Sequence, residues 1–257
     1  MAVVATLLES RRAVLALRRS LPAGAARSTV SCRTPAALHR LLESRLVDAL
    51  VVNPVPALPA AISELRKSHP ALPVIAYAPF RPDDGSVVVA CREARVSALA
   101  VEGVDDAVVG DLVARHSMTT ARRLAMADAP RVLRLTEPLQ RTAWHYLLGA
   151  VEKPVRTAAL ARELAVSREH LSRQFGAGGA PNLKRVIDLT RVAAAAQLLR
   201  NPGMGVPAVV RLLHFASPSH LGATARRIAG TGTSGLGALG PRGVLSAFVK
   251  GNTRSRA

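Results

Sequence analysis

One five-residue phrase occurs twice in this chain, fifty positions apart, and it dictates where two turns fall. Ser167-Arg168-Glu169-His170-Leu171 returns as Ser217-Pro218-Ser219-His220-Leu221. A serine at the head of a helical stretch is a natural N-cap, because its side-chain oxygen accepts from a free backbone N–H of the first turn. Pro218 follows its serine at the first helical position, where a missing N–H costs nothing. Upstream of each serine lies a short apolar segment of helical period, 157–164 and 206–213. Downstream lie 168–175 and 218–228. Each copy therefore reads as helix, turn, helix, with Leu160, Leu164, Val166, Leu171 and Phe175 as the small core of the first. Val209, Val210, Leu213, Phe215 and Leu221 do the same in the second, and the polar residues of each later helix face outward.

The two copies are joined by one long helix over 181–200, with Leu183, Val186, Ile187, Leu189, Val192, Ala193 and Leu199 at helical spacing. Asn201-Pro202-Gly203 stops it. Two helix-turn-helix patterns on one chain can enter successive major-groove segments of DNA, about 34 Å apart. The segments Leu160-Ala161 through Phe175, Arg191 through Leu199, and His214-Phe215-Ala216-Ser217-Pro218-Ser219-His220-Leu221 carry a resemblance. The stretch 154–248 resembles the DNA-binding domain of bacterial AraC/XylS-type transcription regulators.

That resemblance implies an all-α C-terminal domain with two helix-turn-helix units, and double-stranded promoter or operator DNA as partner. RNA polymerase follows as a second partner. It puts Glu169, His170, Ser172 and Arg173 of the first unit, and Ser219 and His220 of the second, in the groove-facing positions. Arg168, Arg226 and Arg227 fall near phosphates. The sequence departs from the family pattern at His214, in place of a turn glycine, and at Ala225, in place of a core phenylalanine. Gly222 and Ala223 stand where polar or basic residues are usual, and Gly230-Thr231-Gly232-Thr233-Ser234 lacks the closing proline. The second unit is thus expected to be the softer one, since an internal helical glycine costs about 1 kcal/mol against alanine.

Charge agrees with a nucleic-acid partner once it is divided. The whole chain carries +18. Residues 1–130 hold 16 Lys+Arg against 12 Asp+Glu, and residues 131–257 hold 19 against 5, so the net is +4 in the first half and +14 in the second. An excess concentrated in one half is what phosphate neutralisation requires.

The first half alternates differently. Apolar strands are expected at 2–7, 28–32, 48–52, 74–78 and 98–101. Helices are expected at 11–21, 35–44, 56–68 and 87–94, with one or two more over 105–127. Short apolar strands alternating with amphipathic helices predict a parallel sheet covered on both faces. Five such units resemble the flavodoxin-like receiver domains of response regulators, with strand order 2-1-3-4-5. The chemistry that this second resemblance would carry is missing. The first strand runs into Thr6-Leu7-Leu8-Glu9 without an acidic pair, and Asn53 occupies the phosphoacceptor slot. Strand four ends at Tyr77-Ala78-Pro79, and Glu102-Gly103 follows strand five where a lysine is needed. The domain is expected to serve dimerisation or signal input without phosphorylation, with a homodimer as one form open to it.

The organisation expected is a degenerate receiver-like α/β domain at 1–128, a linker helix at 129–153, the double helix-turn-helix domain at 154–249, and a basic tail at 250–257, disordered from Asn252 on. Trp144, Tyr146, Leu147 and Leu148 on the helix 137–151 are expected to plug it onto the DNA-binding domain. Cys32 and Cys91 show no disulfide or metal pattern. No histidines sit at metal spacing, and no apolar run approaches the roughly 20 residues of a membrane span. No catalytic residue, metal or cofactor is expected, and the place of action is the cytoplasm, at the nucleoid. Two alternatives compete with the regulator: a DNA-alkylation repair protein borrowing an AraC-like module, and a nucleoid-type binder indifferent to sequence. Repair would need a reactive cysteine in a Pro-Cys-His setting or a Cys-rich zinc site, and neither Ser31-Cys32-Arg33 nor Ala90-Cys91-Arg92 supplies it.

Overall fold

The structure, a computed structural model, describes residues 3–22, 28–54 and 58–254. Ala2 and Pro56, expected to open a strand and a helix, lie outside the described residues, as do 255–257 of the expected tail. Two compact units divide the chain, Met1–Ala121 with Asn201–Met204, and Arg122–Arg200 with Gly205–Ala257.

The first unit alternates strictly. β1 (Val3–Leu7), α1 (Arg11–Ser20), β2 (Thr29–Ser31), α2 (Pro35–Ser44), β3 (Val47–Val52), α3 (Leu58–Ser68) and β4 (Val74–Ala78) follow one another. After a 3-10 turn at Pro82–Asp84 come α4 (Gly85–Glu93), β5 (Ala98–Val101), α5 (Val109–His116) and α6 (Met118–Ala125), whose residues from Arg122 on belong to the second unit. All neighbours are parallel, as the alternation predicts, and the sheet order is β2-β1-β3-β4-β5, as the resemblance to receiver domains implies. Helices on both faces explain why β3 and β4 are apolar at nearly every position, rather than at every second one. Ala49 and Val51 of β3 share a buried cluster with Leu17 of α1 and Val109 and Val113 of α5. Leu50 and Val52 belong to the opposite face, beside Leu38 of α2 and Ile62 and Leu65 of α3. Where α1 meets α5 the backbones nearly touch, for a Cβ on Gly110 would collide with the backbone of Ser20. Gly110 N–H donates instead to Ser20 Oγ at 3.0 Å.

The second unit is helical. α7 (Ala129–Val132), α8 (Pro138–Gly149), α9 (Thr157–Glu163) and α10 (Arg168–Gln174) lead through the extended segment Phe175–Gly178 into α11 (Leu183–Leu198). α12 (Val206–Leu212), α13 (Pro218–Ala229) and α14 (Thr233–Arg254) complete it. Asn182 caps α11 by accepting from Arg185 N–H at 3.0 Å. Nearly every residue of α11 is buried, because α8, α13 and α14 all pack on it. Of the residues expected on its apolar stripe, Leu183, Val186, Ile187, Leu189, Val192 and Ala193 are buried, and Leu199 serves as the C-cap. Trp144, Leu147 and Leu148 of α8 are buried within the unit, while Tyr146 is only half-buried. α14 kinks at Gly240-Pro241 and then runs on through Arg254, so the start of the basic tail is helical, including 252–254, which read as disordered. Burial of Val244, Leu245 and Phe248 anchors that last stretch.

Gly110→Ala should lower stability by about 1–3 kcal/mol, the usual cost of overpacking, in denaturant unfolding of the full chain. Gly85→Ala, at a site with nothing within 4 Å of the new methyl, should not. Equal effects from both would mean that α1 and α5 are not packed backbone to backbone.

Candidate nucleic-acid interface

The second unit contains two helix pairs, α9 with α10 and α12 with α13, and their turns are built alike. α9 ends with Val166 N–H donating to Ala161 C=O at 3.0 Å and Ala165 N–H to Arg162 C=O at 3.1 Å. α12 ends with Phe215 N–H donating to Val210 C=O at 2.9 Å and His214 N–H to Arg211 C=O at 3.2 Å. Both are Schellman closures, which need a left-handed residue one position past the C-cap. Ala165 (φ 53°) and His214 (φ 52°) fill that position, at a steric cost that glycine would avoid. Ser167 then caps α10 by accepting from His170 N–H at 3.0 Å, and Ser217 caps α13 by accepting from His220 N–H at 3.0 Å.

The copies differ by one residue. Val166 alone separates the left-handed residue from its capping serine in the first turn, whereas Phe215 and Ala216 do so in the second. The extra Ala216 directs its N–H to His220 Nδ1 at 3.4 Å, and the His220 ring stands edge-on to Phe215, 5.7 Å between centroids.

α10 brings Arg168, Glu169, His170, Ser172 and Arg173 together, all exposed, around the buried Leu171. Glu169 lies in the first turn and Arg173 in the last, each matched in sign to its end of the helix dipole. Ser219, His220, Arg226 and Arg227 are exposed on α13, whereas Gly222 is buried. Of these, Arg227 is already engaged: its Nη2 pairs with Asp188 Oδ2 of α11 at 2.7 Å.

Two arginines that the sequence did not single out hold the unit together. Arg191 of α11 donates through Nη2 to Leu213 C=O at 2.9 Å and His214 C=O at 3.0 Å, and stacks 4.0 Å from the Phe215 ring centroid. Burial lowers its affinity for the proton, and nearby Asp188 partly offsets that. Arg122, fully buried, gives Nε and Nη2 to Leu148 C=O and Nη1 to Gln197 Oε1 at 2.8 Å. An arginine inside an otherwise apolar helical stripe was the available signal for Arg191; for Arg122, whose partners lie far off in sequence, there was none.

The carboxyl edge of the sheet in the first unit is the other place where chemistry could gather. Glu9, Cys32, Arg33 and Asn53 border a cavity of about 290 Å³ there. The nearby acids serve the turns. Glu102 accepts from Ser10 Oγ at 2.7 Å, and Asp105 accepts from Val101 N–H at 2.7 Å. Asp106 accepts from Gly103 N–H at 2.7 Å and from the buried Tyr77 hydroxyl. The Tyr77 bond, with help from Gly103, holds the Asp106 carboxyl below its ordinary range, while burial and Asp106 push the Tyr77 hydroxyl up. Asp48, near the opposite end of β3, accepts from Thr119 N–H at 2.8 Å and Thr119 Oγ1 at 2.9 Å. Cys32 and Cys91 are buried, and burial raises both thiols. Among the described residues no cluster of three metal-ligating side chains occurs, and no helix is long and apolar enough to cross a membrane.

No family model matches the sequence, and no curated protein matches it. Full-length FixJ from B. japonicum is a solved structure with some likeness, at 13% identity and a TM-score of 0.35, over 88% of this chain and 96% of that one. Similarity at that level carries no argument about either unit.

Glycine at the two left-handed positions should relieve strain. Ala165→Gly and His214→Gly are each expected to raise stability by about 0.5–1 kcal/mol, after allowing for the added freedom of the unfolded chain. Ser167→Ala and Ser217→Ala should each lower it by about 1 kcal/mol. Thermal unfolding of the four variants checks both signs; a loss at the glycine variants would mean that the turns close differently.

Proposed function

We propose that this chain is a sequence-specific, DNA-binding transcription regulator of the AraC type. Its two helix pairs act as helix-turn-helix units, and its α/β unit serves dimerisation or signal input without phosphorylation. The observation that carries the reading is the duplicated turn. The same closure, the same left-handed residue and the same serine cap precede a helix with an exposed polar face, once at α10 and once at α13. Two ordinary helix hairpins have no reason to share so many details. The concentration of positive charge in the second half supports DNA as the ligand.

α10 is the principal reader in this proposal, because five exposed polar side chains crowd its seven residues. Arg173 can address guanine through O6 and N7, a contact worth about 1–3 kcal/mol of discrimination. α13 reads less: Gly222 and Ala223 offer nothing to a base, His220 is turned toward Phe215, and Arg227 is paired with Asp188. Arg168 and Arg226 remain as phosphate contacts. RNA polymerase is the further partner that a promoter-bound regulator implies, and the nucleoid its place of action. The buried, proton-holding cysteines count against the repair reading, since alkyl transfer needs an accessible thiolate.

Sequence selection on a random DNA pool should return one motif, which a binder indifferent to sequence would not. Within that motif Arg173→Ala should relax preference at one or two positions. Arg168→Ala and Arg226→Ala should weaken binding to all sequences alike and reduce the salt slope by about 0.9 for each lost phosphate contact. Unchanged slopes would assign these arginines to a solvated face.

The α/β unit should take no phosphoryl group. Asn53 offers no carboxylate at the end of β3, and Asp48 is bonded to Thr119 near the strand's other end. Incubation with acetyl phosphate and Mg²⁺ should add no mass and leave DNA affinity unchanged; a stoichiometric, base-labile adduct would overturn this.

A further inference from the structure

We infer that Gln140 of α8 is a positioning residue for base reading: its amide fixes the last turn of α10, and with it the root of Arg173. Gln140 is fully buried, and its side chain is bonded at both ends. Nε2 donates to Gln174 C=O at 2.7 Å, and Oε1 accepts from Glu137 N–H at 3.1 Å. Gln174 is the last residue of α10, so the bond falls one residue beyond Arg173 on the backbone that carries it. The inference rests on the reading of α10 as a recognition helix, and names the group that sets its orientation.

α10 needs such a bond. It has only seven residues, about two turns. Ser167 caps its start, and buried Leu171 holds its middle. Beyond Gln174 the chain passes at once into the extended segment Phe175–Gly178, where Gly176 and Gly178 have φ of 106° and 62°. Burial of Phe175 sets the depth of that end, but apolar contact is non-directional and leaves sliding and rotation open. A hydrogen bond has direction. Gln140 cannot simply follow α10, because α8 is fastened at its other end: Arg122 gives Nε and Nη2 to Leu148 C=O, and Nη1 to Gln197 of α11. The end of α10 is thereby tied, through α8, to the helix on which the unit is built. The end of α13 is held by the same logic, through Arg227 and Asp188. A buried amide adds little net stability, since its bonds replace those it made to water. What it offers over an apolar residue is a single geometry, and a side chain that reads a base edge must be held to within about 0.5 Å.

The experiment selects bound sites from a random DNA pool with the full chain and with two variants, and records thermal unfolding of each. Gln140→Met keeps the length of the side chain and loses the amide; Gln140→Asn keeps the amide and loses its reach. Arg173→Ala identifies the positions that Arg173 reads. An arginine–guanine pair gives roughly 5- to 150-fold discrimination there, and both Gln140 variants should bring it at least halfway, on a logarithmic scale, to the Arg173→Ala value. Preference elsewhere, and affinity for random DNA, should stay within about twofold of wild type, because phosphate contacts position without specifying. Gly110→Ala, destabilised in the α/β unit, should keep the whole motif, which separates orientation from loss of stability. Unchanged preference at the Arg173 positions, or an equal loss at every position, would overturn this inference alone and leave the regulator reading standing. So would the wild-type motif from Arg173→Ala, since there would be no orientation to hold. If neither Gln140 variant folds, the residue is structural and the inference falls. A wild-type chain that selects no motif would overturn both readings.

Discussion

The second unit depends on one buried helix being made to carry charge. α11 is the element on which α8, α13 and α14 pack, and an apolar helix would have sufficed for that. It instead holds Asp188 and Arg191, three positions apart, both turned toward the second helix pair. Arg191 closes on the carbonyls of Leu213 and His214, which are the groups that the end of α12 leaves without helical partners. Asp188 holds Arg227, near the end of α13. One turn of α11 thereby fixes both helices of the pair at chosen points, where apolar contact alone would let them slide. The arrangement has a cost, for Arg191 is half-buried and its Nε–H finds no partner among the described residues. Removing the guanidinium would leave two carbonyls to be satisfied by water in a turn that already carries a left-handed histidine.

The duplicated pairs are therefore alike in backbone and unlike in what holds their turns. The first turn spends its left-handed position on alanine, and the second on histidine, with one more residue to accommodate before the cap. The second is restored from outside, by Arg191, by Asp188 and by the Phe215–His220 contact. Side chains recruited to hold a turn are not free to meet a ligand. That is the physical reason for assigning reading mainly to α10, whose exposed residues carry no such duty apart from capping.

Much of this was legible in the sequence. The parallel strands, the serine caps and the stripe of α11 followed from periodicity and from residues with a single preferred use, such as Pro35 at a helix start, while the strand order followed from the resemblance to receiver domains. The hydrophobic alternation of the first half also excluded an antiparallel sheet, since β3 and β4 have no polar face. What could not be read were features set by distant partners. Nothing near Arg122 in sequence announces Leu148 and Gln197, and nothing near Asp48 announces Thr119. The engagement of Arg227 was hidden for the same reason, because an arginine near a helix end is placed at a phosphate or at a carboxylate only by what folds beside it. The helix through residues 250–254 was missed because local composition there is basic and polar, while its anchor, Phe248, lies just before it.

The acids beside the carboxyl edge of the α/β sheet serve the backbone. In a phosphorylated domain, carboxylates at the carboxyl edge must face a metal and so stay free of the backbone. Here Asp105 and Asp106 close the turn after β5, Glu102 fastens to the N-cap of α1, and Tyr77 leans on Asp106. Each of those bonds stiffens the connection from β5 to α5, the region that also presents Val104 and Val108 to solvent. Carboxylates committed to turn N–H groups, to Ser10 and to Tyr77 are not free to face a metal, which is a physical ground for the proposal that this unit works without phosphorylation.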